Sequence, residues 1–132
     1  HLVAGRAGVG RRREQLARIV EACPTQRLVV VGDTNMRVSE AEEIEAEGSL
    51  RSPKPPHPTW DSRSNRFSAD GRGFSAYFTR WFETSSAGVT DVVVHRTPFE
   101  HDDTRFHISD HFAMSGTVAD TVAAASGTLG GS

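Results

Sequence analysis

Leu16, Ile19, Val20 and Cys23 recur every three or four residues through RRREQLARIVEAC. That spacing predicts an amphipathic helix with one apolar stripe. Cys23 falls on the stripe and reads as a small core residue, and Pro24 stops the helix. A different pattern follows in RLVVVG (27–32), a continuous β-branched run of the kind that forms a strand covered on both faces. HLVA at residues 1–4 reads as the end of an earlier strand, with GRAGVG as the loop, so the order is strand, helix, strand. Ser39 with Glu42 three positions on has the form of a capping box. EAEEIEAEG is therefore predicted as a second helix that ends at Gly48.

Beyond the Pro-rich SPKPPHP loop, residues 62–73 are polar and turn-rich. FSAYFTRWF (74–82) alternates loosely and predicts a strand, SSAG a turn, and VTDVVVH (89–95) another strand. RTPFEHDDTRFHI reads as a loop, and SDHFAMSGTV enters a final strand. The tail, 119–132, is rich in small residues and is expected to be flexible. Together the elements predict an α+β fold in one domain, residues 1–118.

Composition narrows the chemistry. The 132 residues suffice for one domain, and a net charge of −2 excludes a bulk positive field, so any phosphate site must be local. Fourteen arginines stand against one lysine, which fits bidentate phosphate recognition and equally fits GC-rich coding bias. The single cysteine excludes an internal disulfide and a Cys-based zinc site. No apolar run is long enough to span a membrane and no signal peptide is visible, so the expected location is cytoplasmic. The chain opens on His1 and not on an initiator Met, and its true N-terminus is expected upstream.

Asp33, Asn35, Asp61, Asp110 and His111 all lie where an apolar run starts or stops. Strands hold such loop residues rigidly, and two carboxylates, an amide and an imidazole gathered there would suit a phosphate ester and a hard cation. A carboxylate can take a proton from water; an amide or imidazole can donate to a phosphoryl oxygen. Each part alone has a plainer reading. Gly-Asp after a strand is often a turn, SDH a cap, and Asp61 a loop hydrogen-bonder. His57 and His95 read as residues with no role. HDDTRFHISDH also permits a transition-metal site on His101, His107 and His111.

In order, "HL", a helix with "R..QL", "VVVGDTNMR", "TWD" and "SDHF" resemble the endonuclease/exonuclease/phosphatase superfamily of metal-dependent phosphoesterases over residues 1 to about 118. GDTNMR with TWD looks most like the 5′-tyrosyl-DNA phosphodiesterase-like branch. The resemblance implies that Asp33 holds or deprotonates the attacking water and that Asn35 donates to the scissile phosphate. Asp110 would contribute to a site for Mg²⁺, or Mn²⁺ in its place. His111 would hydrogen-bond the phosphoryl oxygen, and His1 would contact the phosphate or assist the leaving group. Arg37, Thr59, Trp60 and Asp61 would bind substrate, and Arg37, Arg63, Arg66, Arg72 and Arg80 are the candidates for a basic groove. The implied substrate is a phosphodiester, in DNA or RNA or as a 5′-phosphotyrosyl adduct; lipid and inositol phosphates are the alternative, and a non-catalytic binding module is another.

Two departures stand out. Relatives carry an Asp that orients the final His; here FTR puts Thr79 at that place, and Asp91 on the next strand is the other candidate. The family's N-terminal Asn and metal-binding Glu have no counterpart in residues 1–27. The chain is thus expected to be the C-terminal half of a two-layer β-sandwich flanked by helices. Its partner would be the missing N-terminal half, and the inner strand faces would be left partly uncovered.

Overall fold

The computed structural model describes residues 1–65, 67 and 73–119. Helix α1 (Val9–Ala22) leads to strand β1 (Val29–Asp33) and helix α2 (Val38–Ala46). Strands follow: β2 (Trp60–Asp61), β3 (Ser75–Ala76), β4 (Thr79–Glu83), β5 (Val89–His95), β6 (Phe99–His101), β7 (Thr104–Phe106) and β8 (Ala113–Val118). The chain is α+β. Among the described residues its strands pair antiparallel as β1–β4, β2–β3, β5–β8 and β6–β7. The expected flexible tail falls on residues 120–132, outside the described residues.

Leu16 and Val20 of α1 and Ala41 and Ile44 of α2 pack with Leu2, Val30, Met36, Leu50 and Phe82 into one core. The helices therefore cover one face of the β1–β4 ladder. Its other face is covered at Trp81 and Glu83, both buried, and open at Val31. Val31 is 64% exposed, against the expectation of cover on both faces. With Val29, Trp81, Val89, Val92, Met114 and Val118 it lines a groove of about 310 Å³ between the β1–β4 and β5–β8 ladders. Val93 and Val118 are also about half exposed.

Four local expectations change. Residues 1–4 form no strand; Leu2 N–H makes one bond to Asp33 O at 2.9 Å beside the end of β1. Helix α1 ends at Ala22, so Cys23 falls past the stripe and is exposed. Helix α2 starts one residue ahead of Ser39, and Glu40, not Glu42, is its N3 residue, accepting from Arg37 N–H at 3.4 Å. The presumed loop 96–108 contains a hairpin, β6–β7, whose turn residues Asp102 and Asp103 have φ of 46° and 59°. Positive φ at both central positions is what a type I′ hairpin turn needs, and Asp tolerates it.

Candidate active site

The register of β1 on β4 builds the site. Val29 faces Glu83 at one end of the ladder and Asp33 faces Thr79 at the other. Beyond Asp33 the chain bends through Asn35, which sits at φ 51°, a left-handed value that Asn accepts better than most residues. The Asp33 carboxylate shapes the bend by accepting from Asn35 N–H at 2.9 Å through Oδ1. Its Oδ2 faces the cleft, 3.1 Å from His1 Nε2 and 3.5 Å from His111 Nε2. Asn35 Nδ2 donates to Leu2 O at 2.8 Å, which ties this bend to the segment that carries His1.

His111 reaches the same point from the other end of the chain. It bridges to Trp60, and Phe112 N–H bonds Thr59 O at 2.8 Å. Thr79 Oγ1 lies 3.0 Å from His111 Nδ1, so a hydroxyl stands against the ring nitrogen remote from Asp33. A hydroxyl can donate or accept, so this contact does not fix the tautomer as a carboxylate does. Asp91 is not in this group. It sits at a bulge in β5, exposed, with φ 53° and its carboxylate accepting from Thr90 Oγ1. The Phe78 ring lies 6.4 Å from the His111 ring, and Trp60 packs on Phe78 and Phe74 at 6.1 and 4.3 Å.

The TWD residues lie under the cleft more than they line it. Thr59 is fully buried; its hydroxyl donates to Thr79 O at 3.2 Å and accepts from Thr79 N–H at 2.9 Å. It braces β4 and is closed to substrate. Asp61 is committed within the protein. It accepts from Arg63 N–H at 3.0 Å, Ser64 Oγ at 2.8 Å and Arg96 Nη2 at 3.0 Å. Burial pushes its carboxyl up, but these donors and the Arg96 charge outweigh that and hold it below the ordinary value. Arg96 was not legible as a cleft residue because its contact spans 35 positions. Buried Asn65 was missed too: its Nδ2 donates to Ser109 O at 2.9 Å, just ahead of Asp110.

Arg80, one candidate for the basic groove, is closed to solvent. Arg80 points into the layer beneath the helices, buried, with Nε donating to Tyr77 O at 3.1 Å. Burial lowers its pKa against the opposing pull of Glu40 and Glu42. Arg37 is exposed beside the Asn35 bend, Arg63 is exposed, and Arg66 and Arg72 lie outside the described residues.

Metal chemistry has a thin donor set. Asp110 contributes one carboxylate, with Oδ1 accepting from Ser109 Oγ at 3.4 Å. Among the described residues no three His, Cys, Asp or Glu side chains form a group that could hold a metal ion. The described residues alone therefore do not make a three-donor site for Mg²⁺ or Mn²⁺. Nor do the three loop histidines converge. His101 pairs with Asp102 at 3.4 Å, His107 bonds Arg96 O at 3.2 Å, and His111 sits at Asp33.

No protein-family profile and no curated protein matches the chain. Solved structures do. The D. rerio TDP2 (tyrosyl-DNA phosphodiesterase 2) structure complexed with single strand DNA product superposes at TM-score 0.69 and 19% identity, over 91% of this chain and 54% of that one. A D. rerio TDP2 humanized by 14 mutations gives 0.65 at 20% identity, over 91% and 53%. Truncated Caenorhabditis elegans TDP2 gives 0.62 at 20% identity, over 89% and 51%. This chain shares their fold. It spans about half the length of each TDP2 structure. At one-fifth identity the TDP2 likeness is one of backbone fold. No helix among the described residues is long and apolar enough to cross a membrane.

Proposed function

We propose that this chain is the C-terminal half of a phosphodiester hydrolase that acts on nucleic-acid ends, with a 5′-phosphotyrosyl adduct as the preferred substrate class. The observation that carries the reading is the convergence of Asp33, His1, His111 and Thr79 at one end of the β1–β4 ladder. Asp33 orients water for in-line attack on phosphorus and takes its proton. His111 Nε2 donates to a phosphoryl oxygen, and Thr79 sets the plane of its ring. Asn35 supplies an amide donor to the same phosphate. His1, the most exposed of the group, protonates the leaving oxygen. Arg37 reaches the adjoining backbone phosphate. Asp110 would supply one ligand to a divalent ion, with further protein ligands coming from outside this chain. The DNA product held by a TDP2 structure supports a nucleic-acid substrate over a lipid or inositol phosphate.

The open groove over Val29, Val31 and Trp81 supports a sandwich whose second layer belongs to the missing N-terminal half. A non-catalytic half-domain is the second reading, favoured by the incomplete metal donor set. The test is hydrolysis of a 5′-phosphotyrosyl oligonucleotide by the longer polypeptide read from the frame upstream of His1, with Mg²⁺ or with EDTA. Asp33→Ala and His111→Ala should each lower the rate on the order of a hundredfold or more. Unchanged rates in both variants would reject this set of residues, and no hydrolysis by the parent would hand the case to the binding module.

A further inference from the structure

Helix α1 carries a charge where its apolar stripe should run. Arg12 lies one turn before Leu16 on the same face, and it is fully buried. A lone guanidinium there would cost several kcal/mol. This one is matched on all three nitrogens. Nε and Nη2 grip the two Glu40 carboxylate oxygens at 2.8 and 2.7 Å. Nη1 donates to Val3 O at 3.1 Å and to Gly5 O at 2.7 Å. Gly8 makes the room: a Cβ there would stand 2.9 Å from Nη1 and 3.1 Å from Val3 Cγ1. Burial raises the Glu40 pKa, and the Arg12 fork with the Arg37 N–H more than reverses this, so the Glu40 carboxyl is held below its ordinary value.

The pair joins two loops as well as two helices. On one side, residues 2–5 are fixed through their main chain. Leu2 N–H bonds Asp33 O at 2.9 Å, Leu2 O accepts from Asn35 Nδ2, Val3 N–H bonds Gln15 Oε1 at 3.0 Å, and Arg12 takes the carbonyls of Val3 and Gly5. On the other side, Glu40 stands in the first turn of α2, directly after the Asp33–Arg37 bend. A lysine at position 12 offers a point charge and cannot span four acceptors.

We infer that Arg12 and Glu40 are positioning residues for the proposed site, a buried clasp that sets the His1 segment against the Asp33–Asn35 bend. The inference rests on that reading of the site, but its test does not rest on hydrolysis. Hydrogen exchange in the ¹⁵N-labelled chain reports the clasp at two places, the Val3 amide and the Asn35 side-chain amide. The Val20 amide inside α1 reports global opening. Arg12→Lys and Glu40→Gln should speed exchange at Val3 and Asn35 by tenfold or more relative to Val20. Gly8→Ala should do the same while leaving both charges in place. Equal acceleration at all three probes, or none, overturns the inference. If Arg12→Lys does not fold, Glu40→Gln and Gly8→Ala decide it by the same criterion. Loosened probes in an enzyme whose Asp33→Ala variant keeps full activity would retain the clasp and reject the catalytic reading.

Discussion

Asparagine in place of Asp61 keeps the shape of the side chain and removes its charge. Oδ1 can still accept from Arg63 N–H. The position of Oδ2, which now takes Ser64 Oγ and Arg96 Nη2, becomes an NH₂ group. Ser64 can turn its hydroxyl to accept, but two donors then meet at Arg96. The loss is one charge-assisted hydrogen bond, about 1.5–3 kcal/mol when shielded from water. The Arg96 side chain is 36% exposed against 13% for Asp61, so solvent trims the figure to about 1–2 kcal/mol. For a domain of this size that lowers Tm by roughly 4–10 °C. Asp61 is held below its ordinary value of 3.8, so its contribution is complete above that pH and fades as the pH falls through the lower folded-state value. Urea unfolding of Asp61→Asn and the parent chain should therefore show a gap at pH 7 that narrows as the pH falls below 3.8 and the parent too takes up the proton. A gap that persists undiminished in acid, or none at neutral pH, would refute the assignment of Asp61 to structure.

Thr79→Val removes the hydroxyl from His111 Nδ1 and keeps the volume; turnover should fall ten- to hundredfold with KM little changed, and Thr79→Asp should restore or exceed the parent rate. Steady-state kinetics of the longer polypeptide check both. Val31→Asp should shift the stability of the 132-residue chain by less than about 0.5 kcal/mol because the residue is 64% exposed. The same change should weaken any self-association seen by sedimentation, since it places a charge in the open groove. Adding 1 mM Mg²⁺ to the isolated chain should raise its Tm by no more than about 2 °C, because with no three-donor group among the described residues its expected affinity is millimolar or weaker. A larger rise measured by scanning fluorimetry would point to a metal site built from this chain alone.

Much of the layout is legible in the sequence. Helix α1, strand β1 and strand β5 carry local periodicity, and GDTN and SDH mark the strand ends that meet at the cleft. What escaped was decided elsewhere in the chain. Arg12 reads as one of a run of solvated arginines, although its place four residues before Leu16 was a signal that it shares the buried face. The fate of Thr59 and Asp61 depended on partners up to 35 residues away. Val31 looked like a doubly covered strand residue because the sequence window cannot say which layers are present. The β6–β7 hairpin hid because Asp-Asp is a less familiar type I′ pair than Asn-Gly, yet Phe99 and Phe106 face each other across it.

The pairing of Asp33 with Thr79 also fixes where this protein can tolerate insertions and deletions. One residue gained or lost inside β1 or β4 would bring Phe78 or Arg80 opposite Asp33 and turn the hydroxyl to the far side of the ladder. Lengthening the exposed stretch from Cys23 to Gln26 would raise closure entropy by only a few tenths of a kcal/mol for a modest insertion. Variation in length among related chains should therefore collect in that stretch and stop short at the two strands.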